Sequence, residues 1–278
     1  MPSLVIGSTS QLARYFPRDF VRISSRDMDL DSLSEQEWDE VYICFGEART
    51  YMASSDSPEV ERMFHDTNVV KTIEVIDALH SVCRKIVCYS TAELWNATSG
   101  PVAPSDPYTF HENHYTKSKN SISLLLRDKV KYPKVTVAYP FNFNSIHRSS
   151  EYLFGKIFRS IVTESPVTIG DVDYYREILH PTMVVKATLD SMKNDPLGTD
   201  IVIGSGRLIH VGDFIRKLYL RFGMDMDKMA VRDRNSPPPP SIYRKSLFYS
   251  HRHDDRFSEE ALTNLLVYEL STFKEFSI

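Results

Sequence analysis

Short apolar segments alternate with helix-like segments through the first half of the chain, and this alternation constrains its fold most. Strands are predicted at residues 4–7, 20–23, 41–46, 85–90 and 135–140. Between the third and fourth strands, apolar residues from Val69 to Leu79 recur at the spacing of an amphipathic helix, and a further helix is predicted at 116–127. Strands joined by helices pair in parallel through right-handed crossovers. The sequence therefore predicts an α/β fold with a Rossmann-like, doubly wound parallel sheet.

The second half of the chain is less regular. Helices are predicted at residues 150–163, 181–193, 211–222 and 258–273, and a strand at 200–204. We expect a larger domain over residues 1–148, which the strand near residue 201 rejoins, and a smaller C-terminal lobe over residues 149–278. Four consecutive prolines at 237–240 predict a stiff connector.

The composition argues against several other classes of protein. The 278 residues carry a net charge of −4, which implies no general attraction to nucleic acid or to an anionic membrane. No apolar run approaches the length of a membrane span, and no secretion signal is predicted. The odd number of cysteines (Cys44, Cys83 and Cys88) indicates a reducing compartment. We therefore expect a cytoplasmic protein without nucleic-acid or membrane partners.

The first predicted strand ends in a turn with the features of a phosphate-binding loop. The strand ends at Gly7, and a helix is predicted to begin at Gln11. Backbone N–H groups and the dipole at such a helix N-terminus favour a phosphate. The dinucleotide-binding fingerprint requires small residues at three positions, which here are Gly7, Ser10 and Ala13. Since only the first is glycine, an ordinary strand–turn–helix remains the alternative interpretation.

The residues after the second strand indicate which dinucleotide such a loop would bind. An acidic residue there binds the ribose of NAD, whereas a basic residue accommodates the extra phosphate of NADP. The chain has Ser25 and Arg26 at this point, and an arginine can donate two hydrogen bonds to a phosphate. This favours NADP(H), with NAD(H) and a solvated loop arginine as the alternatives.

A tyrosine and a lysine four residues apart predict an acid–base pair. Tyr115 and Lys119 share one face of a helix, where the ammonium favours the phenolate form of the tyrosine. The spacing is not specific, because Tyr152 and Lys156 repeat it later in the chain. The first pair lies between the fourth strand, which ends near Thr91, and the fifth, and the Thr91 hydroxyl can contact the same substrate oxygen as Tyr115. The second pair lies after the fifth strand, on the wrong side of the sheet order. Ligands of open parallel sheets bind at the carboxyl ends of strands, which favours the first pair.

These features together resemble a known family. The landmarks are residues 6–7, Asn68, residues 89–95, Tyr115 with Lys119, and residues 140–142, 176–180 and 203–206. Their order over roughly residues 3–222 resembles the extended short-chain dehydrogenase/reductases, which act mainly on nucleotide sugars. The resemblance implies an enzyme with a Rossmann domain for the cofactor and a C-terminal lobe for the nucleotide sugar.

The resemblance also implies roles for particular residues. Tyr115 would be the general acid–base, Lys119 the ribose anchor, and Thr91 the partner of the substrate oxygen, with Glu93 as a further catalytic candidate. The substrate-binding candidates are Thr91, Asn142 and Arg176, of which Arg176 would bind a substrate phosphate. The cofactor-binding candidates are Gly7, Thr9, Ser10, Gln11, Leu12, Ser25, Arg26, Phe45, Gly46, Tyr89, Tyr115, Lys119, Pro140 and Asn142. No metal site is predicted, because the His-Arg-His-Asp-Asp cluster at 251–255 lacks a partner cluster.

Two features compete over the reaction. Glu93 resembles the proton-abstracting glutamate of sugar 4,6-dehydratases, but Ala92 stands where those relatives often carry an acid. The short distance in sequence from Gly7 to Tyr115 resembles the keto-sugar reductases instead. We therefore favour reduction, or epimerisation with reduction, of a keto-sugar nucleotide in polysaccharide biosynthesis. A nucleotide-sugar 4,6-dehydratase or epimerase and a non-catalytic NAD(P)-binding sensor or structural protein are the alternatives, and a homodimer is left open.

Overall fold

The computed structural model describes residues 1–233, 248–250 and 255–276. Its strands are β1 (Leu4–Ile6), β2 (Val21–Ile23), β3 (Trp38–Ile43), β4 (Cys83–Tyr89), β5 (Gly100–Val102), β6 (Val135–Pro140), β7 (Asn142–Phe143), β8 (Val167–Ile169), β9 (Tyr175–Arg176), β10 (Ile178–Leu179), β11 (Ile201–Ile203), β12 (Ile209–His210), β13 (Ala230–Arg232) and β14 (Phe248–Ser250). Its helices are α1 (Leu30–Ser34), α2 (Pro58–His65), α3 (Lys71–Leu79), α4 (His114–Leu126), α5 (Leu153–Thr163), α6 (Pro181–Asn194), α7 (Val211–Arg221), α8 (Met226–Met229) and α9 (Glu259–Phe276). The predicted proline connector at 237–240 and residues 251–254 of the His/Asp cluster lie outside the described residues.

Six strands form one parallel sheet in the order β11–β6–β4–β3–β1–β2. Strand β1 lies between β2 and β3, so Val5 is paired with Arg22 on one side and with Tyr42 on the other. After β1 the chain forms β2 at one edge of the sheet, then returns to form β3 on the other side of β1 and continues through β4 and β6 towards the opposite edge. The boundary between β1 and β3 is therefore the topological switch point. Ligands of doubly wound folds bind at this boundary, beyond the carboxyl ends of the strands. The predicted α/β fold class with a parallel Rossmann-like sheet is confirmed.

The helix predicted from Gln11 is wrong. The connection between β1 and β2 contains only one turn of 3-10 helix, Ala13–Tyr15, and then leaves helical geometry at Phe16. Pro17 follows Phe16, and the residue before a proline is disfavoured in the α region because of a steric clash with the proline ring. Phe16 accordingly has an extended backbone, with ψ at 158°. The turn after β1 therefore does not lead into an α-helix.

The helical segment between β3 and β4 is longer than predicted and contains a π-helical turn. Helices α2 and α3 are joined through a π-helical segment, Asp66–Val70, that places Asn68 in the interior. Such widened turns occur frequently at functional sites, because the extra residue redirects a side chain. Helix α4 begins at a capping box, in which Asn113 and Thr116 each bond the other's backbone N–H. These features fix the position of α4, which carries Tyr115 and Lys119.

The described residues divide into two compact units. The first comprises residues 1–95, 103–140 and 184–203 and contains the six-stranded sheet, including β11 near residue 201. The second comprises residues 96–102 and 141–183 together with the described residues from 204 onwards. Its strands form the two-stranded pairs β10–β7, β12–β9, β13–β8 and β14–β5. Residues 96–102 and 141–148 thus lie in the second unit, although the sequence assigned them to the first domain.

Candidate active site

The carboxyl ends of β1 and β3 approach each other so closely that only glycine fits at position 7. Gly7 has a φ of +98°, and a Cβ placed on it would lie 2.7 Å from the backbone nitrogen of Phe45. Its N–H and that of Ser8 both donate to the carbonyl oxygen of Ile23, each at 2.9 Å. The turn closes when the Ser10 N–H donates to the carbonyl oxygen of Gly7 at 2.8 Å. The first fingerprint position therefore lies at the switch point of the sheet.

The remaining residues of the predicted phosphate loop lie in a turn. Thr9 is exposed, Gln11 is half-buried and Leu12 is buried. The Ser10 hydroxyl accepts a hydrogen bond from the Ala13 N–H at 3.1 Å, so it caps the 3-10 turn. Because only this single turn follows, the Gly7–Leu12 turn is not at the N-terminus of an α-helix and lacks the favourable dipole of one.

The second strand leads into an exposed bend that carries the predicted phosphate ligands. Ser25 is half-buried and Arg26 is exposed. The Arg26 N–H donates to the Ser24 hydroxyl at 3.1 Å, which shapes the bend. The nearby carboxylate of Asp29 caps α1, and its hydrogen bond with the Ser32 hydroxyl lowers the pKa of Asp29.

Lys119 points into the first unit beneath the ends of β3 and β4. Its Nζ donates to the carbonyl oxygen of Tyr89 at 2.9 Å, and the residue is 8% exposed. Burial lowers the pKa of this ammonium. A Cβ on Gly46 would lie 3.3 Å from Nζ, so the glycine leaves room beside the charge. Tyr115, one helical turn earlier, is half-buried and packs edge-on against Phe64 with the ring centroids 6.3 Å apart.

Asn68 joins the loop after β3 to helix α4. Its side-chain oxygen accepts from the Glu47 N–H at 2.7 Å, and its amide donates to the Glu47 carbonyl oxygen at 3.0 Å. The same amide donates to the Ser118 hydroxyl at 2.9 Å, and Asn68 is fully buried. A buried amide with this many partners holds its neighbours in one arrangement. Asn68 therefore fixes the loop that contains Gly46 relative to the helix that contains Lys119.

The end of β4 carries the predicted hydroxyl and carboxyl candidates. Thr91 is buried, and its hydroxyl accepts from the Glu93 N–H at 3.2 Å. Glu93 is half-buried in the 3-10 turn Ala92–Trp95 that follows the strand. Ser90 is held in place because its hydroxyl bonds that of Ser123 on α4 at 2.7 Å. The first unit thus contains Thr91, Tyr115 and Lys119 on segments that β4 and α4 support.

Sequence reasoning missed an aromatic cluster at the same sheet edge. The hydroxyls of Tyr108 and Tyr139 lie 2.5 Å apart, and the ring of Trp95 packs edge-on against both. The Arg127 guanidinium lies 4.0 Å above the Tyr108 ring. Burial raises the pKa of Tyr139, so both phenols remain neutral hydrogen-bonding groups. The cluster gives Tyr139 a packing role at the end of β6.

The other predicted substrate ligands belong to the second unit, whereas Pro140 ends β6 in the first. Asn142 is exposed on β7, which pairs with β10. Arg176 is buried on β9, donates to the Tyr175 carbonyl oxygen at 3.2 Å, and lies with its guanidinium 5.7 Å from the Tyr174 ring. Its neighbour Glu177 is fully buried, and burial raises the pKa of that carboxyl to about 7.

Comparison with known proteins supports the fold. No family model and no curated protein matches the chain. Several solved structures resemble it over nearly the whole length, among them the following three. RMD from Pseudomonas aeruginosa, complexed with NADPH, has 16% identity and a TM-score of 0.77, covering 98% of this chain and all of its own. The UDP-N-acetylglucosamine 4-epimerase from Methanobrevibacter ruminantium, complexed with UDP-N-acetylmuramic acid, has 13% identity and a TM-score of 0.79, covering 99% and 98%. The UDP-glucose 4-epimerase from Thermotoga maritima has 16% identity and a TM-score of 0.78, covering both chains completely.

The chain thus has a Rossmann-like fold. More particularly, it shares this fold with nucleotide-sugar epimerases and dehydratases. This is the fold that its resemblance to the extended short-chain dehydrogenase/reductases implied. Among the described residues, no helix is long and apolar enough to span a membrane.

Proposed function

We propose that this protein is an NADP(H)-dependent oxidoreductase of the extended short-chain dehydrogenase/reductase type that reduces, or epimerises and reduces, a keto-sugar nucleotide. The observation that carries the proposal is the buried ammonium of Lys119, one helical turn after Tyr115 at the switch-point edge of the sheet. A buried charge is costly unless it has several hydrogen-bond partners. The hydroxyls of a ribose supply such partners, which gives the buried ammonium a function.

The residues present fit a nicotinamide dinucleotide. Gly7 forms a tight turn in which a side chain would collide with the backbone of Phe45, and Gly46 leaves space beside the Lys119 ammonium. Gly7, Thr9, Ser10, Gln11 and Leu12 would hold the pyrophosphate, and Phe45, Gly46, Tyr89, Lys119 and Pro140 would surround the nicotinamide ribose. Arg26 and Ser25 would bind the extra phosphate of NADP(H), because a guanidinium recognises phosphate with two parallel hydrogen bonds. RMD, which shares the fold, binds NADPH, which supports the same choice.

NADPH held by these residues would supply the hydride for reduction of the substrate carbonyl. Tyr115 donates its hydroxyl proton to the carbonyl oxygen as that oxygen becomes an alcohol, and solvent returns a proton to the phenolate. Lys119 stabilises the phenolate, since an adjacent cation favours the charged form. Thr91 donates a hydrogen bond to the same oxygen and so orients the carbonyl. Asn68 holds the loop and the helix in position while these groups react.

Two observations favour reduction over dehydration. Ala92 offers no acid to protonate a leaving hydroxyl, and reduction requires none. A reductase must also exchange its cofactor after every turnover, whereas an epimerase or dehydratase returns it to the starting state. The short turn after β1 lacks a helix dipole to hold the pyrophosphate, which favours release. Dehydration remains the second candidate, because Glu93, two residues after Thr91, is a carboxyl that could serve as the proton-abstracting base.

The second unit is proposed to bind the nucleotide sugar, with Arg176 on a phosphate and Asn142 on the sugar. Three free cysteines, of which Cys83 and Cys88 are buried, support a reducing, cytoplasmic location. The fold shared with nucleotide-sugar epimerases and dehydratases and the net charge of −4 both favour a small-molecule substrate over a nucleic acid.

A homodimer is proposed through helix α4 and the π-helical segment Asp66–Val70. Leu124 and Leu125 are 52% and 49% exposed, and they line a groove of about 530 Å³ in the first unit. Asp128 and Lys131 also line this groove. A two-fold axis pairs a patch with itself, so Asp128 of one copy would meet Lys131 of the other. An exposed apolar groove with opposite charges is thus suited to a second copy of the chain.

The test of the function is an assay of NADPH oxidation, followed by its near-ultraviolet absorbance, with 4-keto nucleotide sugars as substrates. Oxidation of NADPH in step with substrate loss supports the reductase. Loss of water from an ordinary nucleotide hexose without net cofactor consumption, and its abolition by Glu93→Gln, would establish the dehydratase. Binding of cofactor with no turnover of any nucleotide sugar would support the non-catalytic sensor.

A further inference from the structure

The loop between β1 and β2 must satisfy its backbone carbonyl groups without an α-helix. In an α-helix each carbonyl accepts a hydrogen bond from the N–H four residues later. This loop has only the turn Ala13–Tyr15, so most of its carbonyls need other donors. Carbonyl groups that are partly removed from water and unpaired cost free energy, so the donors must come from elsewhere in the chain.

One side chain, Arg22 on β2, supplies these donors. Its Nη2 donates to the carbonyl oxygens of Phe16 and Pro17 at 2.6 and 2.7 Å. Its Nη1 contacts the carbonyl oxygens of Phe20 and Arg18 at 3.3 and 3.4 Å, and its Nε contacts that of Ala13 at 3.3 Å. A single guanidinium therefore touches five carbonyls of one loop.

The sheet register places this guanidinium where a first helix would pack. Arg22, Val5 and Tyr42 are paired across three adjacent strands, so their side chains share one face of the sheet. The rings of Phe16 and Phe20 pack on Tyr42 with centroids 4.6 and 5.8 Å away. The loop is therefore held on the face by aromatic packing at Tyr42 and by hydrogen bonds at Arg22.

We propose that Arg22 is a positioning residue for the cofactor: it holds the loop whose N–H groups at Gln11 and Leu12 bind the pyrophosphate, in place of the missing helix. This inference rests on the proposed function. The Gly7–Ser10 turn fixes one end of the loop, and the Arg22 contacts at Ala13 and beyond fix the other. The two residues between these anchors keep their orientation only while both anchors hold.

The geometry requires an arginine. Its planar guanidinium presents donors in several fixed directions, whereas a lysine ammonium is a compact charge on a flexible stem. Arg22→Lys retains the positive charge but cannot reach all five carbonyls. Arg22→Gln removes both the charge and most of the donors. Arg14→Gln is the matched control, because Arg14 is exposed in the same loop and its loss changes the local charge equally.

The experiment is a calorimetric titration of NADPH into the full chain and the three variants, with steady-state kinetics in parallel. We expect the Kd for NADPH to rise about tenfold in Arg22→Gln, less in Arg22→Lys, and not in Arg14→Gln. The KM for NADPH should rise with the Kd, while kcat at saturating NADPH stays near the wild-type value, since Arg22 is remote in sequence from Tyr115.

Three outcomes would overturn the inference. The Kd could stay unchanged in a folded Arg22→Gln, which would leave Arg22 a purely structural role. Arg14→Gln could weaken NADPH as much as Arg22→Gln does, which would assign the effect to charge. Both Arg22 variants could fail to fold, which would show that Arg22 supports the whole unit and not this loop in particular. Absence of cofactor binding by the wild type would contradict the proposed function instead, so the two failures are distinguishable.

Discussion

The hydroxyl of Tyr115 carries the proposed proton transfer, and its removal is the most direct residue-scale test. Tyr115→Phe should lower kcat by at least about 100-fold, because general acid catalysis contributes factors of this size or more. The affinity for NADPH should hardly change, because the ring and its packing on Phe64 remain. Both quantities can be measured by steady-state kinetics and calorimetry.

Tyr152→Phe is the matched control for that experiment. Tyr152 forms the second Tyr–Lys pair with Lys156, but its ring lies under the Arg148 guanidinium at 3.8 Å at the start of α5, in the second unit. The control should retain full activity. The reverse pattern in the two variants would mean that the wrong pair has been assigned to catalysis.

Arg26 should determine the choice between the two cofactors. Arg26→Ala removes a charge-assisted hydrogen bond to phosphate, worth roughly 1.5–3 kcal/mol. The Kd for NADPH should therefore rise about 10- to 100-fold while that for NADH stays constant. Equal affinity of the wild type for NADPH and NADH, measured by the same titration, would contradict the assignment.

At the scale of elements, the close approach of the carboxyl ends of β1 and β3 depends on the absence of a side chain at Gly7. Gly7→Ala should destabilise the protein more than Gly100→Ala, although both glycines have a similar positive φ, at +98° and +108°. Gly100 has no atom within 4 Å of an added Cβ, so its substitution reports only the backbone strain of roughly 1–3 kcal/mol. At Gly7 the clash with Phe45 adds to that strain. Chemical denaturation measures the difference, and equal losses would show that the two strand ends can separate freely.

A buried carboxyl links two segments of the second unit and makes its stability depend on pH. Glu177 accepts hydrogen bonds from the backbone N–H groups of Ser250 in β14 and of Gly206, at 2.7 and 2.8 Å. Burial raises the pKa of Glu177 from 4.5 to about 7, so the folded protein holds a proton that the unfolded chain has lost. The free energy of unfolding should therefore fall as the pH rises from about 4.5 to 7, by up to roughly 3 kcal/mol.

Glu177→Gln should flatten this part of the pH–stability curve, because the amide does not titrate. Glu275→Gln, at an exposed position of α9, is the control and should leave the curve unchanged. Urea denaturation at a series of pH values measures both. A curve for Glu177→Gln with the wild-type slope would assign the pH dependence to other groups.

The elements that could be predicted from the sequence are those whose signals are local. The strands of the large sheet were found because each is a short apolar run, and helix α4 was predicted two residues later than its observed start at His114. The helix at Gln11 was predicted wrongly because the effect of Pro17 on Phe16 outweighs the helix-favouring residues before it. The two-stranded pairs of the second unit are too short to show periodicity, so they were missed.

The candidate site shows the same division between local and non-local signals. Gly7, Thr91, Tyr115 and Lys119 could be placed because each follows a strand end or shares a helix face. The contacts of Arg22 with the loop and of Tyr139 with Tyr108 could not, because they join residues whose approach depends on the register of the sheet.

At the scale of the whole molecule, assembly should depend on the groove along α4. Leu124→Glu with Leu125→Glu should convert the proposed dimer to a monomer, since burying two carboxylates in an apolar contact is costly. Lys186→Glu with Lys193→Glu on α6 is the control, because both lysines are exposed and lie outside the groove. Light scattering after size-exclusion chromatography measures the mass. A monomeric wild type would rule out this assembly.

The pairing of β5 with β14 has a consequence for synthesis on the ribosome. Strand β5 leaves the ribosome early, between two parts of the sheet-containing unit, whereas β14 lies near the C-terminal end. A nascent chain can complete the parallel sheet once residue 203 has emerged. Within the part of the chain that the structure describes, however, Gly100–Val102 pair only with residues 248–250, which follow much later. Contacts between such distant residues form slowly. The nascent protein should therefore expose an unpaired strand during most of its translation, and this is where we expect chaperones to bind.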